Sequence, residues 1–527
     1  MTETRYRDEG YLDRSVALEN LETVSEWDLL VIGGGSGGLG VALAATLRGH
    51  RVLLLERDDF AAETSSRSTK LIHGGVRYLP QRRWSLLRES LRERRLLTEG
   101  APDWVVPLPM VIPFRKRTEG WKYRVGLWIY EQLAGTHSLG GASRLNVASL
   151  ATAFPWLHRT RFRGGWQFMD ARFDDARFAL ALAAETWSNG GTVLNGVEVQ
   201  ALLRNENGRV VGVHARDRET SNGYKISARV VINAAGLHVD RFREDRNRVE
   251  HRVVWSRGSH LVIDRAVLPV DVGLLLPETA DGRVLFVLPW HGHSLVGTTD
   301  VATDDPVRDP RPSREEVLYL LEHLQKSLGV EIERRHIRSA FAGIRTLVNV
   351  GSYPATGESR RTNLGGTADL SRESIIEHTE PGLISVLGGK WTTFRSQGIR
   401  AVELAEETGA ISKGPCLCRE FRLARDRAED LFGNVDPLTG ADPPTDETLV
   451  SFVRFTVRTQ MARTVTDVLA RRSRLLFVDV ARAKKIAPVV AKIMAESLGK
   501  DAAWIGDQQR AFESVLSQFE APEIESG

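Results

Sequence analysis

The chain has 527 residues, of which 42% are hydrophobic and 26% charged, with a formal net charge of +3. That length supplies two or three domains with sizeable cores, and the small net charge gives no footing for nucleic-acid binding. The only cysteines, Cys416 and Cys418, have no second cluster to complete a metal site or a disulfide framework, so no metal and a reducing compartment are expected.

Residues 1–26 carry acids throughout and lack the apolar core of a secretory leader, so they are read as an N-terminal extension. Leu29 to Leu47 runs 19 residues without a charge, close to membrane-spanning length. Six of those residues are glycines between Gly33 and Gly40, which a stable membrane helix would not carry. A soluble protein with at most peripheral membrane contact is expected.

The stretch WDLLVIGGGSGGLGVALAATLRGHRVLLLER (27–57) parses as strand, tight turn, helix and strand. Leu29–Ile32 is an apolar run of the buried parallel type. Gly33, Gly35 and Gly38 satisfy G-x-G-x-x-G, which serves turn, pyrophosphate approach and helix–strand packing in that order. The helix N-terminus then faces the negative charge. Glu56 closes the second strand where an acid meets ribose hydroxyls. This unit predicts a dinucleotide site, disfavours a 2′-phosphate and leaves FAD and NAD open.

The next loop, DDFAAETSSRSTKLIHGGVRYL (58–79), is too long and too polar for a routine crossover. Its hydroxyls, cations and paired glycines suit an anionic or polar neighbour. Further on, GRVLFVLPWHGHSLVGTT alternates as a hairpin of an antiparallel sheet, with His291 and His293 at the turn rather than in a metal site. The strand Leu383–Leu387 leads into GGKWTTFR, whose glycines can turn backbone N–H groups toward an anion. A Pro/Gly/Asp stretch at 433–447 reads as a linker. Helical spacing of Ile486, Val490, Ile493 and Met494 follows between Ala481 and Leu498.

At TSSRSTKLIHGGVRYL (64–79) the sequence closely resembles FAD-dependent, quinone-linked glycerol-3-phosphate dehydrogenases, in their bacterial form because no calcium-loop extension follows. Further segments resemble the family in its order. They are FMDARFDDARF (168–178), VVINAAG (230–236), RGSHLVI (257–263), FAGIRTL (341–347), LSRESII (370–376), SVLGGKWTTFR (385–395) and VLARRSRLLFVD (468–479). The resemblance implies an α/β (α+β overall) architecture, with a Rossmann-like FAD-binding domain, an antiparallel-sheet substrate cap and a C-terminal helical domain. The FAD-binding domain would be discontinuous, from 27–100, 165–245 and 360–405. The cap would come from 100–165 and 245–360, and the helical domain from 406–527.

It also implies oxidation of sn-glycerol 3-phosphate to dihydroxyacetone phosphate by hydride transfer to FAD, with quinone as electron acceptor. Cofactor contacts are expected from Gly33, Gly35, Gly38, Glu56, Thr64, Ser65, Ser66, Thr69, Lys70, Leu71, His73, Gly74, Val199, Ala235, Gly236, Gly389, Thr392 and Thr393. Phosphate-binding candidates are Arg77, Arg372 and Lys390, with Tyr78 beside them; cations hold a phosphate dianion best. His260, which titrates near neutrality, is expected to take the hydroxyl proton, and Arg345 to stabilise the developing alkoxide.

Arg82, Arg83, Arg471 and Arg472 are read as solvated surface charge. Between Arg454 and Lys500 eleven Lys and Arg face three Asp and Glu. This basic helical surface suits peripheral contact with anionic lipid on the cytoplasmic face of an inner membrane. A homodimer is allowed for.

Several positions depart from the family. Gly37 stands for its usual Asn, Ala44 for Asp, Thr346 for Pro and Glu63 for a small residue, and AAGLHVD replaces ATGPW. Rival readings keep the fold with a different acceptor or substrate, as an oxygen-using glycerol-3-phosphate oxidase or a flavin oxidase of a hydroxy acid or amine. A third is a flavoprotein-like binding module without catalysis.

Overall fold

The structure, a computed structural model, describes residues 11–76, 79, 83–159, 162–242, 253–277, 284–304, 310–348, 374–415, 421–425, 431–432, 436–440 and 445–523. It is the mixed α/β architecture that the sequence leads one to expect. Its centre is an eight-stranded sheet in which Ile375–Glu380, Leu383–Leu387, Gly223–Asn233, Trp27–Ile32, Val52–Leu55 and Thr192–Leu194 lie side by side. All neighbours in that row pair in parallel except the first two, which are antiparallel. Val52–Leu55 is buried throughout and Trp27–Ile32 nearly so, which is why both read as unbroken apolar runs rather than alternating ones.

The helix Ser36–Leu47 is buried from Gly38 to Thr46. It is covered by the helix Phe394–Glu407, and Gly40 and Gly398 let the two backbones meet, since a Cβ at Gly40 would reach 2.6 Å from the Phe394 carbonyl oxygen. Ala44 lies on this buried stretch and belongs to the apolar core.

A second, ten-stranded and largely antiparallel sheet stands beside the first. The strand Val253–Ile263 pairs with His293–Gly297 on one side and Ile337–Val348 on the other, so His260 faces Gly297 and Phe341 across the ladder. The strand Gly164–Phe173 also belongs to this sheet, paired with Val105–Phe114 and with Leu71–Ile72. The sequence reading groups residues 165–173 with the FAD-binding segments; in the structure they pair within the second sheet, as Leu71–Ile72 does.

Helices Asp446–Thr459, Val480–Leu498 and Ala502–Leu516 close the chain. Here one expectation is overturned. Arg471 and Arg472 are buried rather than solvated, and both donate to the carboxylate of Asp59. Arg474 is fully buried as well, against Asp175. Guanidinium groups tolerate such sites because a planar fork can satisfy a carboxylate bidentately. The C-terminal basic surface is correspondingly smaller than the charge count implies.

Candidate active site

A cavity of about 340 Å³ opens at the carboxyl ends of the parallel strands, where the turns after Ile32, Leu55, Asn233 and Leu387 converge. Ligands of doubly wound sheets bind in this position. Gly33 adopts φ +105°, and a Cβ there would lie 2.6 Å from the Ala234 carbonyl oxygen. Gly35 precedes the helix with no capping side chain, and Gly35, Ser36 and Gly37 all line the cavity. The positive helix end is thus presented to an anion. Gly38 packs helix against strand and does not reach the wall.

Glu56 accepts from the amides of Gly34 at 2.6 Å and Asp58 at 2.8 Å. Burial pushes its carboxyl up to about 7 against the pull of those amides. These features fit a dinucleotide: a side-chain-free cradle for the phosphates and an acid at the ribose position.

The loop from Thr64 to His73 forms the opposite wall. Thr64 Oγ1 donates to the Ile344 carbonyl at 2.6 Å, and the Ser36 amide donates to Ser65 Oγ at 3.0 Å. Thr392 Oγ1 accepts from the His73 amide at 3.3 Å. The turn at Gly388 and Gly389 has φ +64° and +99°, conformations suited to glycine. It carries Lys390, whose Nζ donates to Ser90 Oγ at 2.7 Å, and Trp391, whose indole N–H donates to the Ser65 carbonyl at 2.8 Å.

His260 lines the same cavity and is 1% exposed. Its ring stacks on Phe341 at 5.0 Å and 14°. Burial, then the charges of Arg345 and Lys70, hold the imidazole well below its usual value of 6.5, so it is a neutral base at neutral pH. Arg345 is fixed by donating to Thr298 Oγ1 at 2.7 Å and to the Thr299 carbonyl at 3.1 Å. Gly258 leaves the room it occupies.

The cavity brings together Gly33, Gly35, Glu56, Thr64, Ser65, Thr69, Leu71, His73, Val199, Ala235, Gly236, His260, Arg345, Gly389, Lys390 and Thr392. It does not bring Ser66, Lys70, Gly74 or Thr393 to its wall. Lys70 turns away to donate to Asp175 Oδ2 at 2.5 Å, and the Gly74 amide donates to Asp170 Oδ1 at 3.1 Å. Thr393 Oγ1 donates back to the Lys390 carbonyl at 3.4 Å. Arg77, Tyr78 and Arg372, like Cys416 and Cys418, lie outside the described residues.

Sequence reasoning missed Thr298, Arg67, Glu63 and His238 as wall residues. Two of them sit in the segments that depart from the family, and they pair: His238 Nε2 lies 3.1 Å from Glu63 Oε1. That departure was the available signal.

The family described as FAD dependent oxidoreductase matches residues 28–395, and the family described as the C-terminal domain of alpha-glycerophosphate oxidase matches residues 421–504. The mitochondrial glycerol-3-phosphate dehydrogenase of Schizosaccharomyces pombe is 33% identical, over 93% of this chain and 87% of its own. That of Rattus norvegicus is 34% identical over 92% of this chain and 72% of its own. Among solved structures, the glycerol-3-phosphate dehydrogenase from Bacillus halodurans complexed with FAD superposes with a TM-score of 0.76. It shares 26% identity, covering 98% of this chain and all of that one.

Proposed function

The chain belongs to the family of FAD-dependent glycerol-3-phosphate dehydrogenases, and from that premise we propose that the cavity holds FAD and oxidises sn-glycerol 3-phosphate to dihydroxyacetone phosphate. The observation that carries this reading is the convergence of His260, Arg345 and Lys390 on the cavity that also contains the glycine cradle and Glu56. A neutral base, a fixed guanidinium and an ammonium beside one cofactor site are what a phosphorylated secondary alcohol requires.

Gly33, Gly35 and the helix end after it would hold the pyrophosphate, with Glu56 at the ribose. Thr64, Ser65, His73, Gly389 and Thr392 would line the ring. Bound FAD supplies the acceptor for the hydride that leaves the alcohol carbon. His260 receives the proton of the alcohol oxygen as the C=O bond forms, so the substrate gives up one hydride and one proton. Arg345, held in place by Thr298 and Thr299, offsets the negative charge that develops on that oxygen. Lys390 anchors the phosphate, with Arg77 and Arg372 proposed beside it from their sequence context. Replacing Lys390 by Met is expected to weaken substrate binding while leaving the limiting rate of flavin reduction largely intact. Unchanged binding would contradict its assignment.

A quinone is the proposed electron acceptor, which calls for contact with a lipid surface. No helix among the described residues is long and apolar enough to cross a membrane. The helix Arg117–Ala134 supports a peripheral contact instead. Trp121 is 63% exposed and Trp128 59% exposed, with Val125 between them on one face and Lys122 and Arg124 alongside. Tryptophan and cations in this arrangement suit a lipid headgroup region. This face carries the membrane reading better than the C-terminal one, whose arginines are partly buried.

A further inference from the structure

We propose that Thr69 is the positioning residue of His260, fixing its ring and its tautomer, and that Lys70 holds Thr69 in place. The proposal rests on the reading of His260 as the proton acceptor.

Thr69 Oγ1 lies 3.0 Å from His260 Nε2. The imidazole cannot swing away from it. Phe341 stacks on one face, and on the other a Cβ at Gly297 would overlap the ring, so only glycine fits there. His260 Nδ1 is buried and has no partner among the described residues. A neutral imidazole has one donor and one acceptor nitrogen. With Nε2–H donating to Thr69 Oγ1, Nδ1 keeps a bare lone pair, and proton transfer from the substrate's hydroxyl requires this buried nitrogen to open toward the cavity that His260 lines. With the opposite tautomer, Nδ1 would carry a proton and could not act as a base. The hydroxyl of Thr69 accordingly has to accept, as the partner of a catalytic histidine's second nitrogen commonly does.

The loop around Thr69 is built to hold this direction. Lys70 adopts φ +60°, a left-handed conformation uncommon for a residue with a long side chain. It is 2% exposed, and its Nζ donates to the Ser66 carbonyl at 2.7 Å and to Asp175 Oδ2 at 2.5 Å. The same Oδ2 accepts from the Ser68 amide at 3.0 Å and Ser68 Oγ at 2.7 Å. Arg474 Nη2 donates to the Ser66 carbonyl at 2.9 Å from the C-terminal side. Trp290, Phe341 and Phe477 enclose the ammonium at 5.5, 5.3 and 5.5 Å. One carboxylate oxygen thus gathers the turn from Ser66 to Lys70 and aims its single free-standing hydroxyl, that of Thr69, at the ring. Such supporting contacts hold a reacting group within the tolerance that chemistry demands. Backbone strain of this kind persists where the surroundings over-determine it.

The test uses FAD-loaded enzyme with Thr69 replaced by Val, which keeps the shape and removes the hydroxyl, and by Ser, which restores it. Flavin reduction by sn-glycerol 3-phosphate is followed anaerobically by stopped flow across pH. Thr69→Val is expected to keep its flavin and its substrate affinity while losing about tenfold to a hundredfold in the limiting reduction rate, as loss of an outer-shell partner does. Thr69→Ser is expected to recover most of that loss. The acid limb of the pH profile should move to lower pH in Thr69→Val, because a hydroxyl acceptor favours the protonated ring. The charges acting on the ring, Arg345 from the adjoining strand and Lys70 from the loop, are the same in both variants, and Gly297 adds none. Lys70→Met should lower the limiting rate in the same direction as Thr69→Val.

A wild-type reduction rate in Thr69→Val, or a loss that Ser does not restore, overturns the proposal. So does loss of bound FAD from Thr69→Val, which would make Thr69 a cofactor ligand. His260→Gln separates the two levels: if it reduces flavin at the wild-type rate, the assignment of His260 fails. A slow His260→Gln beside a fast Thr69→Val overturns only the role of Thr69.

Discussion

Asp59, just beyond the glutamate that ends the second parallel strand, accepts a 2.5 Å hydrogen bond from Arg471, 412 positions further along the chain. Arg472 donates to the same carboxylate oxygen, and Asn195 Nδ2 donates to the other at 2.8 Å. Burial, the largest influence on this carboxyl, works upward, yet Arg472 and Arg471 hold it down to about 2. The C-terminal segment is therefore tied into the base of the cofactor loop through a buried cluster of charge.

Replacing Asp59 by Asn would take the carboxylate away from buried Arg472 and leave buried Arg471 with Asp467 alone. Breaking one side of a buried ion cluster costs about 3–5 kcal/mol. Denaturant unfolding of Asp59→Asn should show a loss of that order. Because the folded value lies below the unfolded 3.8, the stabilisation is fully present above pH 3.8 and lost as pH falls through about 2. An Asp59→Asn variant with wild-type stability at neutral pH would contradict this account of the cluster.

Glu56 should make cofactor affinity depend on pH. Its carboxyl is pushed up to about 7 by burial, and ribose hydroxyls donate best to the charged form. FAD binding to apoprotein should strengthen as pH rises through 7, with proton release. Glu56→Gln should remove that dependence and weaken binding by about 1.5–3 kcal/mol, the worth of hydrogen bonds to a charged acceptor. Fluorescence titration of apoprotein with FAD measures both.

Gly258 is the neighbour that leaves Arg345 its place. A Cβ there would overlap Arg345 Nη2 and come within 2.7 Å of its guanidinium carbon and of Thr298 Oγ1. Gly258→Ala should bind FAD normally and lose about 2.7–4 kcal/mol of transition-state stabilisation, as removal of an oxyanion donor does. Single-turnover flavin reduction reads this directly.

His260 also leaves a mark on stability. Its folded value lies well below 6.5, so between the two values the unfolded chain takes up a proton that the folded chain refuses. This contribution is present above pH 6.5 and is lost as pH falls below it. Glu56, raised from 4.5 to about 7, acts in the opposite sense over an overlapping window. The comparison that isolates His260 is wild type against His260→Gln, whose unfolding midpoints should diverge less at pH 8 than at pH 5.5 in slope with pH.

What could be read from the chain beforehand follows its locality. Gly33, Gly35 and Glu56 are constrained by a single strand–turn–helix–strand unit, so spacing alone places them. Arg471 and Arg472 look like surface charge in sequence because their partner, Asp59, is more than four hundred positions away. Lys70 was expected at the cofactor because its loop is there, but its left-handed backbone turns the side chain to the opposite side. Strand Gly164–Phe173 is grouped with the FAD-binding segments on its resemblance, and its pairing with Val105–Phe114 in the second sheet is a non-local contact that this stretch alone does not encode. Thr69 and His260 meet across 191 positions, a contact no local pattern encodes.

The most direct test of the central claim is anaerobic. The purified protein is brought to its oxidised flavin spectrum, and sn-glycerol 3-phosphate, glycerol and lactate are added in turn. Rapid bleaching of the flavin band by sn-glycerol 3-phosphate alone, with dihydroxyacetone phosphate formed, is the predicted result. A flavin that stays oxidised with sn-glycerol 3-phosphate, or bleaches equally with lactate, would contradict it.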